Sequence, residues 1–484
     1  MPAAYLHGTE VIQQSDSPVA IQTVDTSTIA LVCTAPIHRL DVANRKVNQL
    51  FLVANQTDAS NFVGPEVAGF TGPDAIRAIF DQGGAKVIVV NVFDPAVHKT
   101  SVVSEAITLA GSPNVATLAH GEVLTAVVKN SADAITYVEN TDYTLDKNTG
   151  LITRLAASAF LANATLHVSY DYADPTLVLA ADLIGTVVSG VKTGWQLMLD
   201  APELFGIVPR NLLCPVYCTQ NSVAVEMIAK ANTLDGHAFI DAPIGTTRDV
   251  AIAGRGPSGA INFYTSDKRA VLCYPHVKVI NAAGATVLRG LGQYAAGVWA
   301  ATDQAEGFWV SPSNHEIKGI VGREFQLSSR QNDPNSDINL LNAQGIVTVS
   351  AFFGAGLRLW GNRSAAWPTS TAPSNFLAVQ RALDIIHESL LRASLQFNDK
   401  SLTYVMLDII IQSTNAYLST IQQRGGLVGA NVAWRKSDNP VTELSLGHAT
   451  FAIHLMPPPP LERLTFLSFT DINLLTNLFR PLAA

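Results

Sequence analysis

Charged residues are scarce in this chain. Asp, Glu, Lys and Arg make up 14% of its 484 residues, whereas about 25% is typical of soluble globular proteins. The mean hydropathy is +0.22, so few charges are available to solvate a large free surface. This composition indicates either a membrane protein or a protein that buries much of its surface against partners.

The sequence also lacks a long apolar run. A membrane-spanning helix needs about 20 consecutive apolar residues, and the best run, 402–411, is shorter and contains Asp408. The first residues have neither the basic start nor the apolar core of a secretion signal. We therefore expect no membrane association, and we expect obligate assembly with partners instead.

Cysteine is rare as well. Each of the four cysteines lies in an apolar, strand-like run: Cys33, Cys214, Cys218 and Cys273. They form no CxxC redox motif, and no His/Cys pair at zinc spacing accompanies them. We predict buried, reduced thiols and no metal or cofactor, which suits assembly in a reducing cytoplasm. The net charge of −8 without a basic stripe gives no support for nucleic-acid binding.

One glycine-rich segment matches a nucleotide-binding pattern by its letters alone. Residues 254–259 read GxGxxG, but a helix-like stretch precedes them and Pro257 lies inside them. A dinucleotide site needs a strand before the motif, a helix after it and an acidic residue about 20 positions later, where this chain has Asn281–Ala283. We predict a loop here, and a nucleotide-dependent α/β enzyme is kept as the alternative that rests on it.

The sequence contains no recognisable catalytic motif either. Asp384, His387 and Glu388 lie about one helical turn apart, and we interpret them as the polar face of an amphipathic helix. No GxSxG, HExxH or Walker sequence occurs. We expect a protein that is not an enzyme.

Hydrophobic patterning predicts alternating strands and helices. Continuous apolar runs are typical of buried strands, whereas periodic runs bounded by Pro and Gly are typical of helices. The predicted strands are 29–33, 49–53, 85–92, 213–217, 237–241 and 269–273. The predicted helices are 73–82, 222–234, 246–253, 376–397 and 402–424. This alternation predicts a mainly parallel sheet.

Residues 99–174 have a different texture. Short alternating runs predict strands at 122–128, 135–138, 143–145, 151–153 and 164–170. Asp146–Gly150 reads as a hairpin turn in which Gly supplies a positive φ. The pattern predicts a small antiparallel β domain inserted into the α/β chain.

Both ends of the chain carry β-capable segments that have few neighbours. These are Gly8–Gln14 at one end, and 449–455 and 464–469 at the other. Pro457–Pro460 separates the last two, holds the chain extended and offers no N–H groups to a ladder. Because such a spacer prevents a tight hairpin, we predict an arm that reaches outward. A strand without neighbours in its own chain frays or adds to another chain's sheet.

The C-terminal third is dense in Gly, Trp and Arg. Arg358, Trp360 and Arg363 carry the guanidinium and aromatic groups that are enriched at interface hot spots. As a set they indicate an assembly interface, and for any single residue a Trp-anchored core with structural arginines is an equal alternative.

Residues 286–480 resemble the C-terminal domain of contractile tail sheath proteins. The resemblance rests on an ordered series of blocks: Gly290–Ala300 before Asp303, Gly307–Asn314, Leu341–Gly345, Gly356–Arg363 and Val379–Arg381. Residues 5–93 look similar to the family as well. One chain that holds both parts resembles the sheaths of phage tails and tailocins more than a type VI secretion sheath, which normally has two chains.

The resemblance implies a multidomain α/β and α+β fold: a mixed-sheet sheath core with an inserted small antiparallel β domain and extended terminal β arms. The implied segments are an N-terminal arm and first strand (1–36), the first part of the core (37–98), the insertion (99–174), an α/β middle domain of the protease-resistant type (175–285), a C-terminal sheath domain (286–446) and a C-terminal arm (447–484).

It also implies a function. Copies of the chain would stack as hexameric rings or helical strands around a tail tube protein, with baseplate and tail terminator proteins at the ends, in a virion tail assembled in the host cytoplasm. Contraction would use stored conformational energy, without nucleotide hydrolysis, to drive the tube through the host envelope. Another static structural polymer of a virion is the alternative.

The same resemblance implies roles for individual residues. Strand exchange between subunits would involve Gly8, Thr9, Glu10, Val11, Ile12, Phe451, Ala452, Ile453, Leu464, Phe466 and Leu467. The candidates for contact with the tube are Arg424, Arg435 and Lys436.

Overall fold

The computed structural model describes residues 21–354 and 356–479. The strands up to the end of the insertion are β1 (Ile29–Cys33), β2 (Leu50–Val53), β3 (Val87–Asn91), β4 (Lys99–Thr108), β5 (Val115–Thr117), β6 (Val123–Asn130), β7 (Thr136–Tyr137), β8 (Tyr143–Asp146), β9 (Leu151–Arg154) and β10 (Thr165–Ala173). The later strands are β11 (Val187–Val188), β12 (Val191–Lys192), β13 (Asn211–Leu213), β14 (His237–Asp241), β15 (Ala270–Cys273), β16 (Val277–Ile280), β17 (Thr286–Arg289), β18 (Gly322–Arg323), β19 (Ile346–Ser350), β20 (Arg358–Trp360), β21 (Gly429–Ala433) and β22 (Ala452–Met456).

Helices alternate with these strands outside the insertion. They are α1 (Gln56–Phe62), α2 (Gly72–Asp81), α3 (Ala180–Ile184), α4 (Ala201–Phe205), α5 (Asn221–Thr233), α6 (Arg248–Ala253), α7 (Leu291–Ala305), α8 (Asp337–Asn342), α9 (Leu377–Ser394), α10 (Tyr404–Gln423) and α11 (Val441–Ser445).

An eight-stranded mixed sheet lies at the centre, in the order β2-β3-β1-β13-β14-β15-β19-β20. Its inner neighbours run parallel, and the edge strands β2 and β20 are antiparallel to theirs. β1, β3 and β14 are buried at every position, as expected of parallel strands covered on both faces. The sheet takes its strands from the segments 1–36, 37–98, 175–285 and 286–446.

Most predicted elements of this α/β part are confirmed, with boundaries shifted by a few residues. The strand predicted over 213–217 is wrong, because the chain pairs only over Asn211–Leu213. Pro215 has no N–H to donate to a ladder, and Val216 has a φ of 69°, outside the extended region. Tyr217–Thr219 therefore forms a 3₁₀ turn instead of continuing the strand.

The insertion forms its own pair of antiparallel sheets, in the orders β4-β10-β6-β7 and β5-β9-β8. The predicted hairpin is confirmed, since Asp146 pairs with Leu151 and Gly150 has a φ of 74°. β4 and β5 lie outside the predicted strands. Polar side chains interrupt the apolar alternation of β4, and β5 has only three residues. Glu122 ties the insertion to the central part by pairing with His38 at 2.7 Å and with Arg39.

A second hydrophobic core, separate from that of the central sheet, lies in the C-terminal part of the chain. We call residues 377–456, which contain α9, α10, β21 and β22, the C-terminal subdomain. One face of α9 packs with α10 and β21 through Ile385, Ile386, Tyr417, Leu418 and Val432. Ile21 and Val24, near the first described residues, pack against the same cluster.

A neighbouring face of α9 is held to the sheet by buried ion pairs. Arg381 pairs with Asp303 of α7 and donates to Oδ1 of Asn211 at 2.9 Å. Arg269 pairs with Asp384 at 2.7 Å. Because these contacts are directional, they fix how the C-terminal subdomain sits on the sheet.

Asp384 is therefore not part of an exposed polar face, and that interpretation is wrong. Its side chain is 4% exposed, since the sheet supplies a guanidinium that compensates its charge. Burial raises the pKa of Asp384, while the hydrogen bond from Arg269 opposes the rise. His387 is exposed, and Glu388 lies 3.6 Å from Nη2 of Arg210.

α7 begins against another buried carboxylate. Asp241, at the end of β14, accepts a hydrogen bond of 2.7 Å from the N–H of Gly292. Burial raises the pKa of Asp241 to about 7, although this hydrogen bond opposes the rise. A Cβ on Gly290 would lie 2.3 Å from the Asp241 carboxylate oxygen. Glycine at 290 thus permits the close approach between the start of α7 and β14.

Replacing Asp303 should destabilise the chain strongly. In Asp303→Asn the buried Arg381 loses its charged partner, and breaking a buried pair in this way costs about 3–5 kcal/mol. The free energy of unfolding is measured by denaturant titration. Glu306→Gln is the matched control, because Glu306 directly follows α7 and its exposed side chain pairs with the histidine His315. Equal unfolding midpoints for the two variants would contradict the structural role of the buried pair.

Gly290→Ala should also lower stability, by about 1–3 kcal/mol, because overpacking forces side chains or backbone to shift. Thermal unfolding followed by circular dichroism measures the change. Gly429→Ala is the control, since a Cβ there would meet no atom within 4 Å. A melting temperature for Gly290→Ala as high as that of the control would show that α7 does not need glycine there.

Candidate functional site

The GxGxxG segment is a packing loop, as predicted. It follows α6 directly, and a Cβ on Gly259 would lie 2.5 Å from the Cα of Gly254. Arg255 donates to the carbonyls of Phe263 at 2.7 Å and Gln344 at 2.9 Å. The glycines and the arginine thus serve internal contacts, and the strand–turn–helix context of a dinucleotide site is not found at these residues.

The cysteines are buried and unpaired, which confirms the predicted buried thiols. Burial raises the pKa of each of them, so the reactive thiolate is disfavoured. In the described part of the chain, no group of three or more His, Cys, Asp or Glu residues is placed to hold a metal ion. Across residues 21–354 and 356–479, none of the helices combines the length and apolar character needed to cross a membrane.

β21 and β22 form a two-stranded antiparallel sheet with open outer edges. Among the described residues neither strand pairs with a third strand. An isolated pair of strands is marginally stable in water, and an unpaired edge is a template for a strand from another chain. This small sheet is the best candidate for a strand-accepting site.

The predicted exchange residues lie in different places. Ala452 and Ile453 belong to β22, opposite Ala433 and Val432, so they pair within the chain. The ring of Phe451 lies 5.0 Å from that of Trp434. The N-terminal candidates all fall outside the described residues: Gly8, Thr9, Glu10, Val11 and Ile12.

Residues 457–479, which we call the C-terminal arm, extend from the end of β22. The strand predicted over 464–469 does not form, because no strand among the described residues pairs with it. Leu464, Leu467 and two phenylalanines are exposed there, with Phe466 at 84% and Phe469 at 83%. Burying one such side chain is favourable by about 1.5–3 kcal/mol, so this segment is suited to a partner that covers it.

Arg358, Trp360 and Arg363 all make contacts within the chain. Arg358 donates to the carbonyl of Asn314 at 2.6 Å, and the Trp360 ring lies edge-on to Phe352 at 4.6 Å. Arg363 pairs with Glu462 of the C-terminal arm. The sequence pattern did not point to Glu462; its position directly beyond the four prolines is the signal that could have found it. An intersubunit role for the three residues stays a prediction.

The predicted tube-facing residues are exposed on the C-terminal subdomain. The guanidinium of Arg424 lies 5.3 Å from the centre of the Trp309 ring, and Nη2 of Arg435 lies 3.0 Å from Nε2 of His454. Lys436 follows in an exposed 3₁₀ turn. The partner of these three residues stays a prediction.

Known proteins are similar in sequence to this chain, one of them along nearly its whole length. Residues 190–365 match the model of the phage tail sheath protein central domain, and 95–181 match a family described as a protein of unknown function. The tail sheath protein of Burkholderia phage BcepMu is 44% identical, over 96% of this chain and 97% of that protein. A putative prophage major tail sheath protein of Pseudomonas aeruginosa is 30% identical, over 60% of this chain and 72% of its own length.

Solved structures share the fold at low sequence identity. The helical sheath of the anti-feeding prophage in its contracted state gives a TM-score of 0.59 at 15% identity, over 97% of this chain and 100% of that one. The contracted sheath complex of the extracellular contractile injection system PVC gives 0.59 at 14% identity, over 97% and 99%. With the identity to the BcepMu protein extending over almost the entire chain, this protein belongs to the phage tail sheath family.

Proposed function

We propose that copies of this chain polymerise as a contractile sheath around a tail tube protein, held between baseplate and terminator proteins. The observation that carries the proposal is the small sheet of β21 and β22, which has two unpaired edges in the described chain, beside an exposed apolar arm. The similar solved structures are sheaths in a contracted state, which supports contraction.

Strand exchange joins neighbouring copies in this proposal. Residues 464–469 of one copy add to an open edge of β21–β22 in the next, where main-chain hydrogen bonds supply affinity and alternate side chains supply specificity. Residues 8–12 of another copy take the second edge. Ile21 packs against the C-terminal subdomain, so the chain enters the described part beside this acceptor sheet.

Contraction in this proposal is a rigid-body rearrangement of subunits. The central sheet and the C-terminal subdomain each have a core and are joined by buried ion pairs, which supports their moving as one body. Each additional 100 Å² of apolar surface buried contributes roughly 2.5 kcal/mol at 25 cal/mol per Å². Summed over many copies, this conformational energy becomes large, and in this proposal it drives the tube through a host envelope without nucleotide hydrolysis.

A static virion polymer is the second candidate. It shares the low charge content and the exchanged strands, but it does not require subunits to rotate while they remain connected. The arm favours the contractile candidate, because residues 464–469 have no regular structure that would fix a neighbour at one angle.

Removing the part of the arm beyond Arg463 should abolish assembly. We expect the purified parent chain to form striated hollow cylinders in negative-stain electron microscopy, and a chain ending at Arg463 to stay monomeric at the same concentration. Glu443→Gln is the control, because it removes an exposed carboxylate of the same subdomain. Cylinders of normal length from the shortened chain would refute exchange of the arm.

Charge reversal at the tube-facing residues should weaken contact with the tube while sparing the sheath. We expect the triple variant Arg424→Glu, Arg435→Glu and Lys436→Glu to form cylinders alone but to co-sediment poorly with tube protein. Because exposed charges are screened by salt, the parent's co-sedimentation should weaken as ionic strength rises. Lys400→Glu, another exposed position, is the control, and unaltered tube binding by the triple variant would exclude these residues.

A further inference from the structure

Arg363 is held in place before any partner arrives. Its guanidinium carbon lies 3.7 Å from the centre of the Phe376 ring and 4.3 Å from that of Trp367. The side chain is 13% exposed. A guanidinium over aromatic faces is attracted by the ring quadrupole, so the two rings orient the fork of Arg363.

The arm binds to this fork through Glu462. Nε of Arg363 lies 3.1 Å from one carboxylate oxygen of Glu462, and Nη2 lies 2.6 Å from the other. A bidentate pair of this kind fixes direction as well as distance. Pro457–Pro460, just before it, is a stiff extended spacer. The start of the arm, residues 457–462, is therefore a stiff extended segment that is held in place at Glu462.

This anchored segment passes over the rest of the chain and leaves an open space between the two. A cavity of about 930 Å³ lies there, lined by Trp309, Trp360, Trp367, Arg330 and residues 458–464 of the arm. Beyond Leu464 the arm leaves the body, and its apolar side chains are exposed. The anchor therefore sets the point from which the exposed segment departs.

An unanchored arm would have a competing destination in its own chain. β22 ends at Met456 with an open outer edge, and the strand-capable segment 464–469 follows after a short connection. The connection 457–463 keeps this segment at a high effective concentration near β22, although its four prolines prevent a tight hairpin. Folding back would cap the acceptor edge and remove the donor strand in one step.

We propose that Arg363 is a positioning residue that prevents this self-capping and presents residues 464–478 to a second copy of the chain. The inference rests on the proposed strand exchange. The four prolines disfavour the return, and the Arg363–Glu462 pair holds the arm away from β22. Because the arm is ordered in advance, less freedom is lost when a neighbour binds it.

Arm position is measured first, in subunits too dilute to polymerise. Thr465 and Ser401 are exposed, so Thr465→Cys and Ser401→Cys can carry spin labels, and the four native cysteines are buried. We expect a narrow distance distribution by electron–electron double resonance in the parent. Arg363→Met should broaden and shift it, and Glu462→Gln should do the same from the arm side. Arg363→Lys, which keeps the charge but loses the fork, should give an intermediate width.

Assembly is measured second, as the critical concentration for cylinder formation by light scattering. We expect Arg363→Met and Glu462→Gln each to raise it by about tenfold, because the arm is no longer pre-organised. Glu443→Gln, which removes an exposed carboxylate that pairs with His448, should leave both readouts unchanged. Glu462 is on the exposed arm, so its variant tests the anchor even where Arg363→Met fails to fold.

The outcomes separate the anchor from the strand exchange. An unchanged distance distribution in Glu462→Gln would overturn the anchor. A loosened arm with the parental critical concentration would overturn it as well, and strand exchange would stand. Normal cylinders from the chain ending at Arg463 would instead contradict the proposed strand exchange. The role proposed for Arg363 would then be wrong as well.

Discussion

The placement of the C-terminal subdomain depends on the buried ion pair between Arg381 and Asp303. Apolar packing of α9 is non-directional and would tolerate sliding along the helix axis. The guanidinium of Arg381 also donates to Asn211 of the central sheet, so a shift of one turn would leave a buried charge without partners. That loss is far larger than the loss of a few apolar contacts, and the two cores therefore have one mutual orientation.

This orientation matters for the proposed assembly, because the candidate acceptor sheet of β21 and β22 lies on one side of the junction and the eight-stranded sheet lies on the other. β21, β22 and the C-terminal arm all follow α9 in the chain, whereas the eight-stranded sheet is completed before it. In the proposed strand exchange, part of any force on β21 and β22 would reach the sheet through α9 and its ion pairs. Directional, buried ion pairs resist such a force better than an apolar interface does, because separating them leaves buried charges exposed or unpaired.

The sequence was informative where burial is continuous along the chain. Strands such as β1, β3 and β14 are apolar runs, and their prediction needed no knowledge of neighbours. The burial of Asp384 could not be predicted in the same way, because its partner Arg269 lies 115 positions away in sequence. For the candidate site, the exposed apolar arm was predictable, but Arg363 as its anchor was not, since Glu462 lies 99 positions from it. The composition of 464–469 indicates a strand whose pairing partner is not found in the described part of its own chain.

The shortage of charge is more severe at the surface than the composition alone indicates. Several of the few charged side chains are buried, among them Arg210, Arg269, Arg381, Asp303 and Asp384. By contrast, large apolar side chains such as Phe466 and Tyr404 are more than 80% exposed. A monomer with such a surface is aggregation-prone unless its apolar segments meet their intended partners first. Under the proposed anchoring, the arm would narrow the set of possible encounters, because its apolar segment leaves the body at one place. Control over that place would then matter for assembly alongside the affinity of the contact itself.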